Sequence, residues 1–362
     1  MIRRNESIGT KKLIAFISAF IVTFSVSFYT VTAETGDTST FRAGMISNLI
    51  DLIKNANKPE PGAQADPEPE QGAPEESDLP SEEEKDDNIY IKVYFHREGV
   101  VKDMALDDYI MGVLYGEVPE AYHPEALKAQ AVAARSYTLY RINNQISHDN
   151  GADVCTDYTH CQAWTQAENG GEYPESIVTA VKETHNIIGT YNGECINALY
   201  FSNSGGYTES IENVWGGAPY PYLVSVESPG EAGNYDYCSV KYYTPDEFVE
   251  TMYAYSEELE CSADDAAGNI THIKRAATGR ILTANISGKT FTGQQLRAMF
   301  GTLSSNIQFE KLSGGAVAVV SIGYGHGVGM SQCGAQAMAQ NGADYETILK
   351  HYYTGIDLEK LS

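Results

Sequence analysis

Three sets of side chains in this sequence have the types and spacing that chemistry requires. The first centres on Glu117, in Gly116-Glu117-Val118-Pro119, with Lys128 and Arg135 following. Pro119 has no amide hydrogen for a helix and pushes Val118 into extended backbone, so the carboxylate stands where a helix must stop. Burial beside Leu114, Tyr115 and Val118 would raise its pKa and suit it to acid–base work; left in water it is an ordinary surface acid. Lys128 and Arg135 are seven residues apart, which puts them on one helix face, as ligand contacts or as a solvated cationic stripe. The second set is Cys155, His160 and Cys161, with His148 just upstream. Thiolate and imidazole are the ligands zinc prefers, whereas Cys155 and Cys161 could instead pair as a disulfide in an exported chain. Adjacent His160 and Cys161 reach one ion only with strain, which makes His148 an alternative for one position. Cys195, Cys238, Cys261 and Cys333 have no spacing that assigns them. The third set is the run from Gly323 to Ser331, where alternate glycines let backbone approach a ligand and Ser331 can cap a following helix. His326 within it can reach Glu117 or a ligand, or brace a tight turn. The Ser202/Ser204 loop, with two adjacent glycines, poses the same choice.

These residues need elements to hold them. Apolar side chains at helical spacing, Leu106, Tyr109, Ile110, Val113 and Leu114, predict a helix that ends at Glu117, with Asp107 as its possible cap. A second helix opens at Pro124, a favoured first position, and runs to about residue 143. Its small side chains at Ala126, Ala129, Ala131, Ala133 and Ala134 allow close neighbours. Alternation over 88–94 predicts a half-buried strand. Further on, helices are expected at 175–184, 244–260, 293–300, 331–340 and 345–352. Strands are expected at 187–190 and 195–201 around Asn192-Gly193, at 220–226, at 271–274 and 280–286, and at 317–322. There is no internal repeat and no regular βαβ alternation. The expected class is α+β, with mixed helices and short antiparallel sheets.

The first residues read as targeting. Arg3, Arg4, Lys11 and Lys12 precede an apolar run of about 21 residues, 13–33, long enough to cross a bilayer as one helix. Basic residues before it and Glu34 and Asp37 after it put the bulk of the chain outside the cytoplasm. Val31-Thr32-Ala33 also reads as a signal-peptidase site, so the segment is either a retained single-pass anchor or a cleaved leader. Residues 34–88 are rich in Pro and acidic side chains and poor in large apolar ones, an extended tether that cannot form a core. Residues 89–362 then form one folded domain. A net charge of −25 excludes a nucleic-acid backbone as partner and favours a ligand of little charge.

Several blocks together carry a family resemblance: Gly116-Glu-Val-Pro119, Pro124 through Tyr137, the loop from Phe201 to Tyr207, Leu296-Arg297, and Gly325-His-Gly-Val-Gly-Met-Ser-Gln-Cys-Gly-Ala335. Over 89–362 the chain resembles the stage II sporulation protein D family (SpoIID), lytic transglycosylases of endospore formation. The resemblance implies an α+β domain around a glycan-binding cleft, acting on peptidoglycan strands already stripped of stem peptides. It implies Glu117 as catalyst, cutting between N-acetylmuramic acid and N-acetylglucosamine to leave 1,6-anhydro ends. Lys128, Arg135, Tyr222, Ser202 and His326 are its implied substrate contacts; a tyrosine such as Tyr222 can both stack on a sugar and hydrogen-bond. The Cys/His set resembles that of clostridial-type members, which implies Zn2+ near the cleft, not essential to the chemistry itself. Implied partners are the amidase SpoIIP and the membrane protein SpoIIM, in the space between mother cell and forespore during engulfment. Relatives of the domain that enhance amidases without cutting glycan imply the alternative, a binding module or scaffold.

Overall fold

The structure is a computed structural model, and it describes residues 88–146 and 148–361. The expected anchor at 1–33 and all but the last residue of the expected tether lie outside the described residues. Among the described residues no helix is long and apolar enough to cross a membrane.

The domain opens with β1 (Tyr90–Phe95), whose alternation buries Ile91, Val93 and Phe95. It runs antiparallel to β2 (Val100–Ala105), which feeds directly into α1 (Leu106–Glu117). The cap of α1 is Ala105, with no side-chain hydrogen bond, so Asp107 is not the cap; its carboxylate is taken up elsewhere. Val118 is extended, as the residue before a proline must be, and α1 stops at Glu117. After a short bend α2 (Pro124–Asn143) begins with proline in its first turn and His123 accepting from the Glu125 amide. This helix is buried on nearly all sides. Leu127, Ala131 and Ala134 join one core with β1 and α1, while Ala126, Ala129, Val132 and Ala133 join a second core. A helix buried all round is central to its domain, and the alanines permit the close approach this needs.

β3 (Val154–Cys155) adds to β1 in parallel. α3 (Glu175–Glu183) packs on α1 and α2 and leads into the hairpin of β4 (Ile187–Tyr191) and β5 (Glu194–Cys195) around Asn192-Gly193. The expected strand at 195–201 is broken: only β6 (Tyr200–Phe201) continues it, in a different sheet. α4 (Ile211–Trp215) follows. Residues 220–226 form no strand; Tyr222 and Leu223 instead bury themselves in the second core, and the Ile211 amide donates to the Leu223 carbonyl.

The next stretch builds a third core of its own. β7 (Cys238–Tyr243) leads to α5 (Pro245–Tyr255), which opens with a reciprocal Thr244–Glu247 cap and ends before the expected 260. β8 (Ile270–Arg275), β9 (Ile281–Ile286) and β10 (Lys289–Thr292) form a meander, and α6 (Gly293–Phe300) packs on it. β11 (Ile307–Lys311) and β12 (Val317–Ile322) complete a sheet in which β12 pairs with β7. The chain then returns to the second core through β13 (Met330–Ser331), parallel to β6, and through α7 (Gln332–Gln340) and α8 (Tyr345–Tyr352). β14 (Asp357–Lys360) closes on β4. The fold is α+β with short, mainly antiparallel sheets, as expected.

Candidate active site

Glu117 ends α1, and the segment Cys161–Thr165 is laid along that helix. Two glycines make this possible. A Cβ at Gly112 would lie 2.1 Å from the Trp164 indole nitrogen, and one at Gly116 would lie 3.0 Å from the Ala163 carbonyl carbon. With both absent, the Thr165 amide reaches the Gly112 carbonyl at 3.0 Å and the Ala163 amide donates to Glu117 Oε1 at 2.7 Å. From the other side the Gln332 amide, first residue of α7, donates to Oε2 at 3.3 Å. No cation pairs with the carboxylate among the described residues. Burial raises the Glu117 pKa, and the two neutral donors only partly offset it.

Glu117 faces a cleft of about 560 Å³, lined also by Tyr137, Gln162, Ser202, Trp215 and His326. Glu117 is the only carboxylate in that lining, and no lysine or arginine shares it. Gln162 is held from both ends: Tyr200 donates to its Oε1 at 2.7 Å and its amide donates to Thr138 at 3.1 Å. The floor is therefore rigid and neutral apart from one acid.

Cys161, which also lines the cleft, belongs to the Cys/His set. The donor atoms of His148, Cys155, His160 and Cys161 lie within 4.8 Å of one another. Cys155 Sγ is 3.8 Å from His160 Nδ1, and Cys161 Sγ is 3.4 Å from both His160 Nδ1 and His148 Nε2. The edges of a tetrahedral zinc site with sulfur and nitrogen ligands are roughly 3.3–3.8 Å; these three separations match it, and the wider ones, up to 4.8 Å, would have to close by about an ångström. All four donors converge, with His148 beside His160 and not in its place. Cys155 and Cys161 are not bonded to each other. Burial lowers the His148 pKa, which favours the neutral ring a metal needs.

Comparison with known proteins gives the chain a family. The family described as SpoIID, stage II sporulation protein, matches residues 94–191, the span that contains Glu117 and the Cys/His set. Stage II sporulation protein D of Bacillus amyloliquefaciens is 33% identical over 285 residues, covering 76% of this chain and 80% of the relative. That of Bacillus subtilis (strain 168) is 34% identical over 281 residues, covering 75% and 79%. This chain belongs to the SpoIID family. An amidase enhancer of Bacillus subtilis (strain 168) is more distant, 28% identical over 295 residues, which is 69% of this chain and 40% of that protein.

In this SpoIID domain the other expected substrate contacts separate. Ser202 lines the cleft, its carbonyl accepting from the Cys333 amide at 2.9 Å. His326 also lines it, but both ring nitrogens are committed to backbone: Nε2 to the Tyr200 carbonyl and Nδ1 to the Val328 amide, each at 3.1 Å. It braces the turn and does not bond Glu117, and burial holds it neutral, with a pKa pushed down to about 3. The alternate glycines likewise serve packing: a Cβ at Gly329 would lie 2.0 Å from the Leu199 carbonyl oxygen.

Three expected contacts lie outside the cleft lining. Arg135 is wholly buried and bonded to Asp107 at 2.8 Å and to the Ile187 carbonyl at 3.1 Å. Lys128 pairs with Glu125 at 2.9 Å and with Glu183 of α3 at 2.6 Å. The two do share a face, but that face packs on α3 and β4. Tyr222 is buried, with its hydroxyl accepting from the Asn197 amide at 3.0 Å. Cleft residues that spacing did not single out include Gln332, Gln162, Tyr137, Tyr158, Trp215 and Tyr324. Gln332 stands within the quoted Gly/His/Ser-Gln block, and that block was the available signal.

Proposed function

We propose that this chain is a lytic transglycosylase, cleaving peptidoglycan glycan strands at the bond from N-acetylmuramic acid to N-acetylglucosamine. The observation that carries this reading is the single carboxylate in the cleft. Glycosidases that use water or a covalent intermediate require two. Here the protonated Glu117 gives its proton to the glycosidic oxygen as the bond to C1 breaks. The resulting carboxylate takes the proton of the muramoyl 6-hydroxyl, whose oxygen closes on C1 to form the 1,6-anhydro ring. No water is consumed, and Glu117 ends protonated as it began. The Ala163 amide and Gln332 stabilise the carboxylate between the two transfers, and an intramolecular nucleophile supplies the proximity. The uncharged lining suits glycan stripped of its stem peptides. In the setting we propose, the chain is held by a single-pass N-terminal anchor with the domain outside the cytoplasm, acting with a cell-wall amidase and membrane partners during sporulation.

We also assign His148, Cys155, His160 and Cys161 as a zinc site. With four protein ligands a bound zinc would be structural, and His148, Cys155, His160 and Cys161 would then tie down the loop two residues before the amide that holds Glu117. Elemental analysis of protein purified at neutral pH without chelator should find about one zinc per chain; protein that carries no metal under those conditions removes this assignment.

The deciding experiment is mass spectrometry of products from peptide-free glycan, with no amidase present, for the wild-type chain and Glu117→Gln. Anhydro-ended products from the first and intact strands from the second are expected. Products with free reducing ends would make it a hydrolase. Bound but uncut strands would favour an amidase enhancer, the reading that the distant relative supports.

A further inference from the structure

The cleft shows an arrangement that acid–base chemistry does not explain. Three aromatic rings on its lining are exposed where large apolar side chains are ordinarily covered: Tyr158 at 77%, Trp215 at 53% and Tyr324 at 39%. Of these, Trp215 is the one held in place from behind. Its ring lies 5.0 Å from that of His326, which lies 5.4 Å from Phe201. His326 itself is pinned at both nitrogens by backbone, as described above. The indole therefore has a fixed back and an open front. The helix that carries it is anchored too: the Glu209 carboxylate accepts from Asn213 at 2.8 Å, and the Gly216 amide closes the last turn on the Glu212 carbonyl at 3.0 Å. Ordering such a ring ahead of time removes an entropic cost from binding. A flat, pre-set indole in a cleft without lysine or arginine fits the apolar C–H face of a pyranose, not an anion.

We propose that Trp215 is the stacking platform of a sugar subsite beside Glu117, taking the ring face of an N-acetylhexosamine, with Tyr324 extending the same wall. This rests on the transglycosylase reading and adds where the glycan lies. Tyr158, on the loop that carries the Cys/His set, forms part of the rim.

The chain has two tryptophans, and the other is Trp164, packed edge-on against Phe95 beneath the floor. Intrinsic fluorescence can therefore be assigned. The full chain carrying Glu117→Gln, which does not turn over, is titrated with N-acetylglucosamine oligomers, and binding is measured separately by co-sedimentation with insoluble peptide-free glycan. A saturable change in emission is expected, kept in a Trp164→Phe background and lost with Trp215→Phe. Co-sedimentation should weaken about tenfold with Trp215→Ala, the scale of one lost aromatic contact, and be largely restored by Trp215→Phe. Circular dichroism confirms that each variant is folded. Trp215→Ala binding glycan as tightly as its parent overturns the subsite and leaves the transglycosylase reading standing. Failure of the parent itself to bind glycan overturns both.

Discussion

Helix α1 carries a carboxylate at each end, and the two have opposite surroundings. Asp107, in the first turn, meets the Arg135 guanidinium through Nε and Nη2 and the His185 ring at 2.6 Å. Glu117, the last residue, meets a backbone amide and a glutamine side chain and, among the described residues, no cation. Burial of a charge is tolerable when a partner of opposite sign comes with it, and Asp107 with Arg135 is a locked structural pair. Burial without such a partner favours the protonated form, and Glu117 is that case. One helix thus separates a carboxylate that holds the fold from a carboxylate that can give up a proton. The difference lies in what is missing at Glu117.

The comparison is broken most sharply by exchanging the charges. Glu117→Gln should lower glycan cleavage by on the order of 10²–10⁴-fold, the usual contribution of a positioned acid–base group. The fold should not suffer. Because folding raises the Glu117 pKa, its favourable contribution is complete at low pH and is lost as pH rises through the raised value. Urea unfolding at pH 8 should therefore find the glutamine variant at least as stable as the wild type; a clear loss of stability would mean that the carboxylate is a structural group after all. Arg135→Ala should behave in the opposite way, costing about 3–5 kcal/mol by taking the guanidinium from Asp107 and leaving it with the His185 ring, with cleavage per folded molecule unchanged. A variant of full stability and no activity would return Arg135 to the cleft.

A finer test acts on the donors. Glu117 works first as an acid, so cleavage should hold below its raised pKa and fall as pH climbs through it. Gln332→Leu removes a donor that favours the charged form, so the falling limb of the pH–rate profile should move to higher pH. A limb that stays in place or moves down would show that Gln332 does not hold the carboxylate.

How much of this could be read beforehand depends on the range of the forces involved. The ends of α1 and α2 follow from Pro119 and Pro124, which act on their immediate neighbours, and both helices occupy the expected residues. The hairpin at Asn192-Gly193 is equally local. What was not legible is which side of α2 faces the cleft. Buried on nearly all sides, that helix has little polar face to mark one, so spacing groups Lys128 with Arg135 and does not show that their face packs on α3 and β4. The strands β2, β7 and β11 escaped for a related reason: their exposed sides leave too little alternation, and their pairing partners are decided by tertiary packing. At the site, Glu117 was legible from its turn, but its donors come from residues 46 and 215 positions away. The convergence of four Cys/His donors was legible as a composition; their common distance was not.

The smallest effect is expected on the face of α2 that carries Lys128 and Arg135. Lys128 and Arg135 are both paired with carboxylates on the same side of α2, yet Arg135 is fully enclosed, whereas Lys128 keeps 18% of its side chain in water and its partner Glu183 keeps 52%. Water screens the second pair and leaves either member solvated when the other is removed. Lys128→Ala should therefore cost no more than about 1 kcal/mol in urea unfolding, against the several expected for Arg135→Ala. Equal losses would show that exposure does not decide what a pair on this face is worth, and the contrast drawn between Asp107 and Glu117 would need a different cause.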